Sequence, residues 1–304
     1  MRKIPDASIQ HLIEAEQLPP DFGETVDRYY RPVALRIAEL HKDLDRSLVI
    51  GLNGAQGSGK STMAAFLKLL LEHSYDLSTA VLSIDDLYLT RTEREALSRQ
   101  VHPLLVTRGV PGTHDIDLGI RTINNLAQAR EGEITSIPRF DKSRDDRRPE
   151  SDWDSWEGPA QVVILEGWCV GARPQNDQDL NTPVNELERF EDPEGTWRHY
   201  ANDELRTHYQ DLFNMLDYLI MLKVQSFECV QSFRLKQEQK LARKIAEADG
   251  PTKGTRLMDE AAVKRFIMHY ERLTRFMLET MPAYANIILH VDSDHRITGP
   301  LHFG

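Results

Sequence analysis

The residues Gly54-Ala55-Gln56-Gly57-Ser58-Gly59-Lys60-Ser61 have the spacing G-x-x-x-x-G-K-[ST]. Glycines let a backbone curl until successive N–H groups converge, and convergent N–H groups bind anionic oxygen. A helix starting near Lys60 adds the positive end of its dipole. Lys60 supplies a mobile charge for β- and γ-phosphates, and the Ser61 hydroxyl a ligand for Mg2+. Thr62 follows as a candidate for an α-phosphate contact. Residues 54–62 are therefore expected to cradle Mg-ATP.

Phosphoryl transfer from such a cradle to an alcohol also uses carboxylates. The run Ser83-Ile84-Asp85-Asp86-Leu87-Tyr88 sets two of them just beyond a strand-like segment. One can accept the proton of an attacking hydroxyl, and Asp85 is also a candidate metal ligand. Asp86 and Tyr88 are candidates for substrate contact, and Asp86 has a second reading as the cap of a helix starting near Thr92. Which of Asp85 and Asp86 is the base stays open on these residues. Glu166 ends the run Ile164-Leu165 and looks like a Walker B carboxylate, assigned to magnesium directly or through a water; its plainer alternative is an edge salt bridge.

A small anionic acceptor needs fixed cations, and guanidinium best matches a carboxylate. Arg108, Arg139 and Lys142 are the candidates, with His114 either donating to substrate or packing beside the sheet edge. Asp115 is expected to cap a helix over 116–129, Arg147 and Arg148 to be rim charges, and Trp153 and Trp156 to pack within an insertion. The segment 226–248 is the most basic helical stretch, carrying Arg234, Lys236, Lys240, Arg243 and Lys244.

These groups need elements to hold them. Leu48–Leu52, Ala80–Ile84, Val162–Leu165, Tyr218–Leu222 and Ile287–Val291 are apolar runs without strict alternation, as expected of strands covered on both faces. Helical patterns over 62–73, 115–130 and 258–280 lie between them, and a short strand is expected at 134–138. An α/β fold follows, with a mainly parallel sheet, helices on both faces, and ligands beyond the carboxyl ends of the strands. Residues 1–46 read as a helical segment packed on a 47–304 domain, with insertions near 139–159 and 174–196.

Composition narrows the partners. Against 37 Lys and Arg stand 48 Asp and Glu, a net charge of −11 in 304 residues, which argues against nucleic acid. No apolar stretch is long enough to cross a bilayer, so no membrane is expected. Two cysteines, Cys169 and Cys229, give no disulfide framework, and a cytoplasmic location is the expectation.

With GAQGSGKS at 54–61, SIDDLYLT at 83–90, RGVPGTHD at 108–115, IPRFDKS at 137–143, ILEGW at 164–168, FRLKQE at 233–238 and MDEAAV at 258–263, the chain resembles the D-glycerate 3-kinase family over roughly 48–285. That family belongs to the P-loop group with uridine, pantothenate and phosphoribulose kinases. The resemblance implies a P-loop NTPase-type three-layer fold with a lid, and transfer of the γ-phosphoryl of ATP to a small hydroxy acid, giving 3-phosphoglycerate from D-glycerate. It also implies Asp85 as base and Arg234 as a lid arginine. Leu87 stands where the family usually has Phe, and the acidic 174–196 stretch departs from the pattern. The rivals are a nucleoside or pantothenate kinase and an NTP-hydrolysing switch without a small acceptor, although no guanine-selective N-K-x-D pattern is present.

Overall fold

The computed structural model describes residues 6–235 and 259–303. Its centre is a six-stranded sheet in the order β10-β9-β8-β1-β7-β2. The strands are β1 (Leu48–Gly54), β2 (Thr79–Ser83), β7 (Val162–Gly167), β8 (Tyr218–Val224), β9 (Ile287–Val291) and β10 (Ile297–Phe303). The first five are mutually parallel and β10 returns antiparallel to β9. Every residue of β1 and β7 is buried, which is why neither alternates.

Helices cover both faces. One apolar layer joins Tyr30, Val33 and Ile37 of the N-terminal helices to Phe66 and Leu67 of helix Lys60–Tyr75. The other packs Ile123 and Leu126 of helix Ile116–Gln128 against Tyr209, Leu212 and Met277. Asp115 caps its helix as expected, accepting from the Leu118 N–H at 2.9 Å. Helix Arg91–Gln100 is instead capped by Thr90, in a capping box with Glu93, so Asp86 caps nothing.

The two stretches expected as loops have internal order. Within 139–159, β4 (Phe140–Asp141) pairs with β5 (Asp146–Arg147), and β6 (Asp154–Glu157) pairs with β3 (Ile134–Ile137). In the acidic stretch, Glu188 and Asp192 are buried rather than solvated. Arg272 donates to Glu188 at 2.6 Å and Arg198 to Asp192 at 2.9 Å. A buried carboxylate needs such a partner, and both arginines lie outside the stretch itself.

Topology sets the site. Strand β7 runs between β1 and β2, with Glu166 opposite both Leu52 and Ser83. Buried Asn53 then ties the end of β1 to the turn after β7, donating to the carbonyls of Trp168 and Val170 at 2.8 and 2.9 Å. Three chain segments far apart in sequence thus leave the sheet at one edge.

Candidate active site

A cleft of about 1020 Å3 opens at that edge, and Lys60, Asp85 and Glu166 all line it. Strand β1 ends at Gly54, and helix Lys60–Tyr75 begins after Gly59, whose φ of 92° is the left-handed conformation that favours glycine. Gln56 through Thr62 face the cleft, while Ala55 is buried beneath them. The helix N-terminus and its free N–H groups therefore point where an anion would sit.

The carboxylate of Glu166 is buried beside the loop. Its Oε1 accepts from the Ser61 hydroxyl at 3.0 Å, while Oε2 has no partner among the described residues. A buried carboxylate oxygen with nothing to bind is costly unless a cation or water completes it. Ser61 and Glu166 thus fit Mg2+, which takes few protein ligands and keeps phosphate and water for the rest. Among the described residues no cluster of three or more His, Cys, Asp or Glu offers an all-protein metal cage.

Asp85 sits in the short 3-10 turn Ile84–Leu87 that follows β2. Tyr88 donates its hydroxyl to Oδ1 at 2.9 Å and Lys142 donates to Oδ2 at 2.7 Å. Burial alone would raise its pKa, but Lys142 and Lys60 overcome that and hold the carboxyl well below its usual range. Asp85 stays ionised and accepting. Each oxygen accepts one hydrogen bond and keeps a further lone pair toward the cleft it lines.

Cations line the cleft around Asp85. Arg108 lines the cleft and pairs with Asp145, which also takes Arg91 and fully buried Arg94 at 3.1 Å each. Arg91 also pairs with Glu95 at 2.9 Å, which leaves Asp145 as one negative charge against the two guanidiniums of Arg94 and Arg108. Lys142 lines the same wall. Arg234, in the helical stretch 227–235, faces the cleft with its guanidinium 5.7 Å from the Phe266 ring centroid. Lys236, Lys240, Arg243 and Lys244 lie outside the described residues.

Three candidates from the sequence are held elsewhere. Asp86 accepts from Arg139 at 2.7 Å and from the Phe140 N–H at 3.0 Å, and Arg139 also donates to Asp154. These two pin the 137–144 segment to β2, and neither lines the cleft. His114 is buried, stacked on Tyr88 at 4.5 Å and 2.5 Å from the Tyr209 hydroxyl. Burial pushes its pKa down to about 3, so it is neutral and serves packing beneath Tyr88. Arg147 is likewise no rim charge: it donates to the Tyr88 carbonyl at 2.9 Å and pairs with Asp115 at 3.2 Å.

Sequence reasoning missed the aromatic wall made by Trp168, Phe266 and Tyr270, and missed Asp145 as the partner of Arg108. In the sequence Phe266 and Tyr270 are only two members of an amphipathic helix, and Asp145 is one more charge in a charged run. The turn before β10 was missed too; His295 there meets the Gly57 carbonyl at 3.0 Å.

No protein-family model matches the chain. The uncharacterized kinase mug58 of Schizosaccharomyces pombe is 32% identical over 243 residues, spanning 78% of this chain and 83% of the yeast protein. The chloroplastic D-glycerate 3-kinase of Arabidopsis thaliana is 33% identical over 199 residues, which is 63% of this chain but only 41% of the plant protein. Among solved structures, D-glycerate 3-kinase from Cryptococcus neoformans matches with a TM-score of 0.72 at 25% identity, covering 90% of this chain and 97% of that one.

Proposed function

The chain belongs to the family of P-loop kinases that includes mug58 and the D-glycerate 3-kinases and is an ATP-dependent kinase with an alcohol acceptor, and we propose that its acceptor is a small hydroxy acid, D-glycerate foremost. The observation that carries this reading is the union, in one cleft, of a phosphate-binding loop, an ionised Asp85 and the acceptor-side cations Arg108 and Lys142. Arg108 and Lys142 already pair with Asp145 and Asp85, and a carboxylate acceptor gives each a further anionic partner that a neutral acceptor such as glycerol does not offer.

Each residue then has a physical task. Backbone N–H groups of the 54–61 loop and Lys60 hold the β- and γ-phosphates. Magnesium, held by Ser61 and by Glu166 directly or through a water, would neutralise charge between those phosphates. Arg108 and Lys142 take the acceptor carboxylate and so place its hydroxyl beside Asp85. The bond from the γ-phosphorus to its ADP oxygen breaks as the acceptor oxygen bonds to phosphorus, and the hydroxyl proton passes to Asp85.

A carboxylate with a depressed pKa is a weak base, and the reaction tolerates that. Phosphoryl transfer proceeds through a loose transition state, so the hydroxyl keeps its proton until the new bond has largely formed and its acidity has risen. What Asp85 contributes early is orientation. Arg234 stabilises the charge spread over the transferring oxygens, where such arginines are worth about a thousandfold or more.

The test is coupled ADP release with D-glycerate, L-glycerate, glycerol, pantothenate and uridine. D-glycerate is expected to stimulate release and glycerol to do nothing. Stimulation by uridine or pantothenate alone would overturn the acceptor class, and stimulation by none would overturn D-glycerate as the acceptor.

A further inference from the structure

Helix Glu260–Thr280 supplies no charged group to the cleft, yet two of its aromatic side chains line it. Tyr270 donates its hydroxyl to the carbonyl of Arg108 at 3.1 Å, and Trp168 donates its indole N–H to the next carbonyl, Gly109, also at 3.1 Å. The two rings meet edge to face with centroids 4.9 Å apart. Gly109 has φ 134°, and a Cβ there would lie 2.1 Å from the Tyr270 hydroxyl oxygen. Backbone and ring are thus pressed together at the residue that follows Arg108, which carries the acceptor-side guanidinium.

One helical turn earlier, Phe266 lies with its centroid 5.1 Å from that of Tyr270 and 5.7 Å from the Arg234 guanidinium carbon. A guanidinium over an aromatic face is attracted by the ring quadrupole. Residues four apart on a helix share a face, so one rigid element touches the supports of both arginines.

Building on the kinase reading above, we propose that Tyr270 and Phe266 are positioning residues: Tyr270 fixes the acceptor-side Arg108 and Phe266 seats the lid-side Arg234, so that one helix face sets the distance between acceptor binding and charge stabilisation. Neither ring touches a reacting atom in this scheme. Their effect passes through the two arginines, which predicts that the two rings govern different kinetic constants.

The experiment measures kcat, acceptor KM, ATP KM and acceptor-free ATP hydrolysis for wild type, Tyr270→Phe, Phe266→Leu and Phe266→Tyr. Tyr270→Phe deletes one hydrogen bond and is expected to raise acceptor KM about 2- to 10-fold with ATP KM unchanged. Phe266→Leu is expected to lower kcat about 3- to 30-fold with acceptor KM unchanged, and Phe266→Tyr, which keeps a ring, to restore it. Acceptor-free hydrolysis relative to transfer is expected to rise in Tyr270→Phe and Phe266→Leu.

A merely structural role would lower the melting temperature and scale all constants together, which would overturn the proposal. So would a wild type that turns over acceptor while Tyr270→Phe leaves acceptor KM untouched. A wild type stimulated by no acceptor would sink the functional reading instead.

Discussion

Replacing Asp86 with alanine separates two tasks that a carboxylate at a strand tip can have. Its side chain is 17% exposed and makes two bonds, to the Arg139 guanidinium and to the Phe140 N–H. Alanine leaves the Phe140 N–H without its acceptor, at a cost of about 1–3 kcal/mol. Arg139 keeps Asp154 as a second partner, so loss of the ion pair adds about 1 kcal/mol rather than the 3–5 kcal/mol of a fully orphaned charge. Burial raises the pKa of Asp86, so its ionised form is itself costly, and removing it returns part of that sum. The net loss is about 1–3 kcal/mol, or a fall in Tm of roughly 2–5 °C for a chain of this size. Thermal melts and acceptor saturation kinetics read the outcome. Acceptor KM should rise together with the loss of stability, because Lys142 rides on the segment that Asp86 pins, and Asp86→Asn, which keeps an acceptor for Phe140, should lose less. An unchanged Tm with a tenfold or greater rise in acceptor KM would place Asp86 on the substrate and refute the pinning argument.

Three further perturbations probe the other parts. Lys60→Ala should abolish turnover while the melt is unchanged, and retained turnover would remove the phosphate role from the loop. Glu166→Gln keeps an oxygen for Ser61 but loses the charge, so the magnesium concentration for half-maximal rate should rise about 10- to 100-fold; an unaltered magnesium dependence would assign Glu166 to packing. His269 is buried and its pKa is pushed down to about 4 by that burial. Below pH 6.5 the unfolded chain takes up a proton that the folded chain refuses, so stability falls as pH drops, by about 2 kcal/mol at pH 5. His269→Leu should shrink the difference between the urea midpoints at pH 7 and pH 5, and an equal difference in both proteins would count against the linkage.

What could be read beforehand follows from what is decided locally. The phosphate loop is a contiguous backbone shape, so the spacing of Gly54, Gly57, Gly59 and Lys60 announces it. Strands β1, β7 and β8 are buried on both faces, and continuous apolar runs mark them. Strand β10 carries Gly299 and Pro300 on the sheet edge, so its composition reads as a turn. The pairing of Asp86 with Arg139 was hidden for a different reason. Both types suit an anionic or hydroxylated substrate equally well, and only the route of the chain between β2 and the 137–144 segment assigns them to each other. His114 shows the same limit: burial, not residue type, made it neutral and turned it into a support for Tyr88.

The net charge of −11 raises the question of how two anions enter and stay. The cleft answers it by local balance: among the described residues that line it, six Lys or Arg stand against six Asp or Glu. Lys60, Arg108, Lys142 and Arg234 line it together with Asp85 and Glu166, and Glu16, Asp21, Glu24 and Asp294 line it with Arg28 and Arg296. Such a lining nearly cancels at a distance, while its individual cations act at the short range where water is displaced and screening is weak. Such a site draws little benefit from long-range steering in an acidic protein and relies on contact. Added salt should therefore raise acceptor KM only modestly, and a steep fall of kcat/KM across about 50–200 mM salt would show that steering, not contact, governs capture.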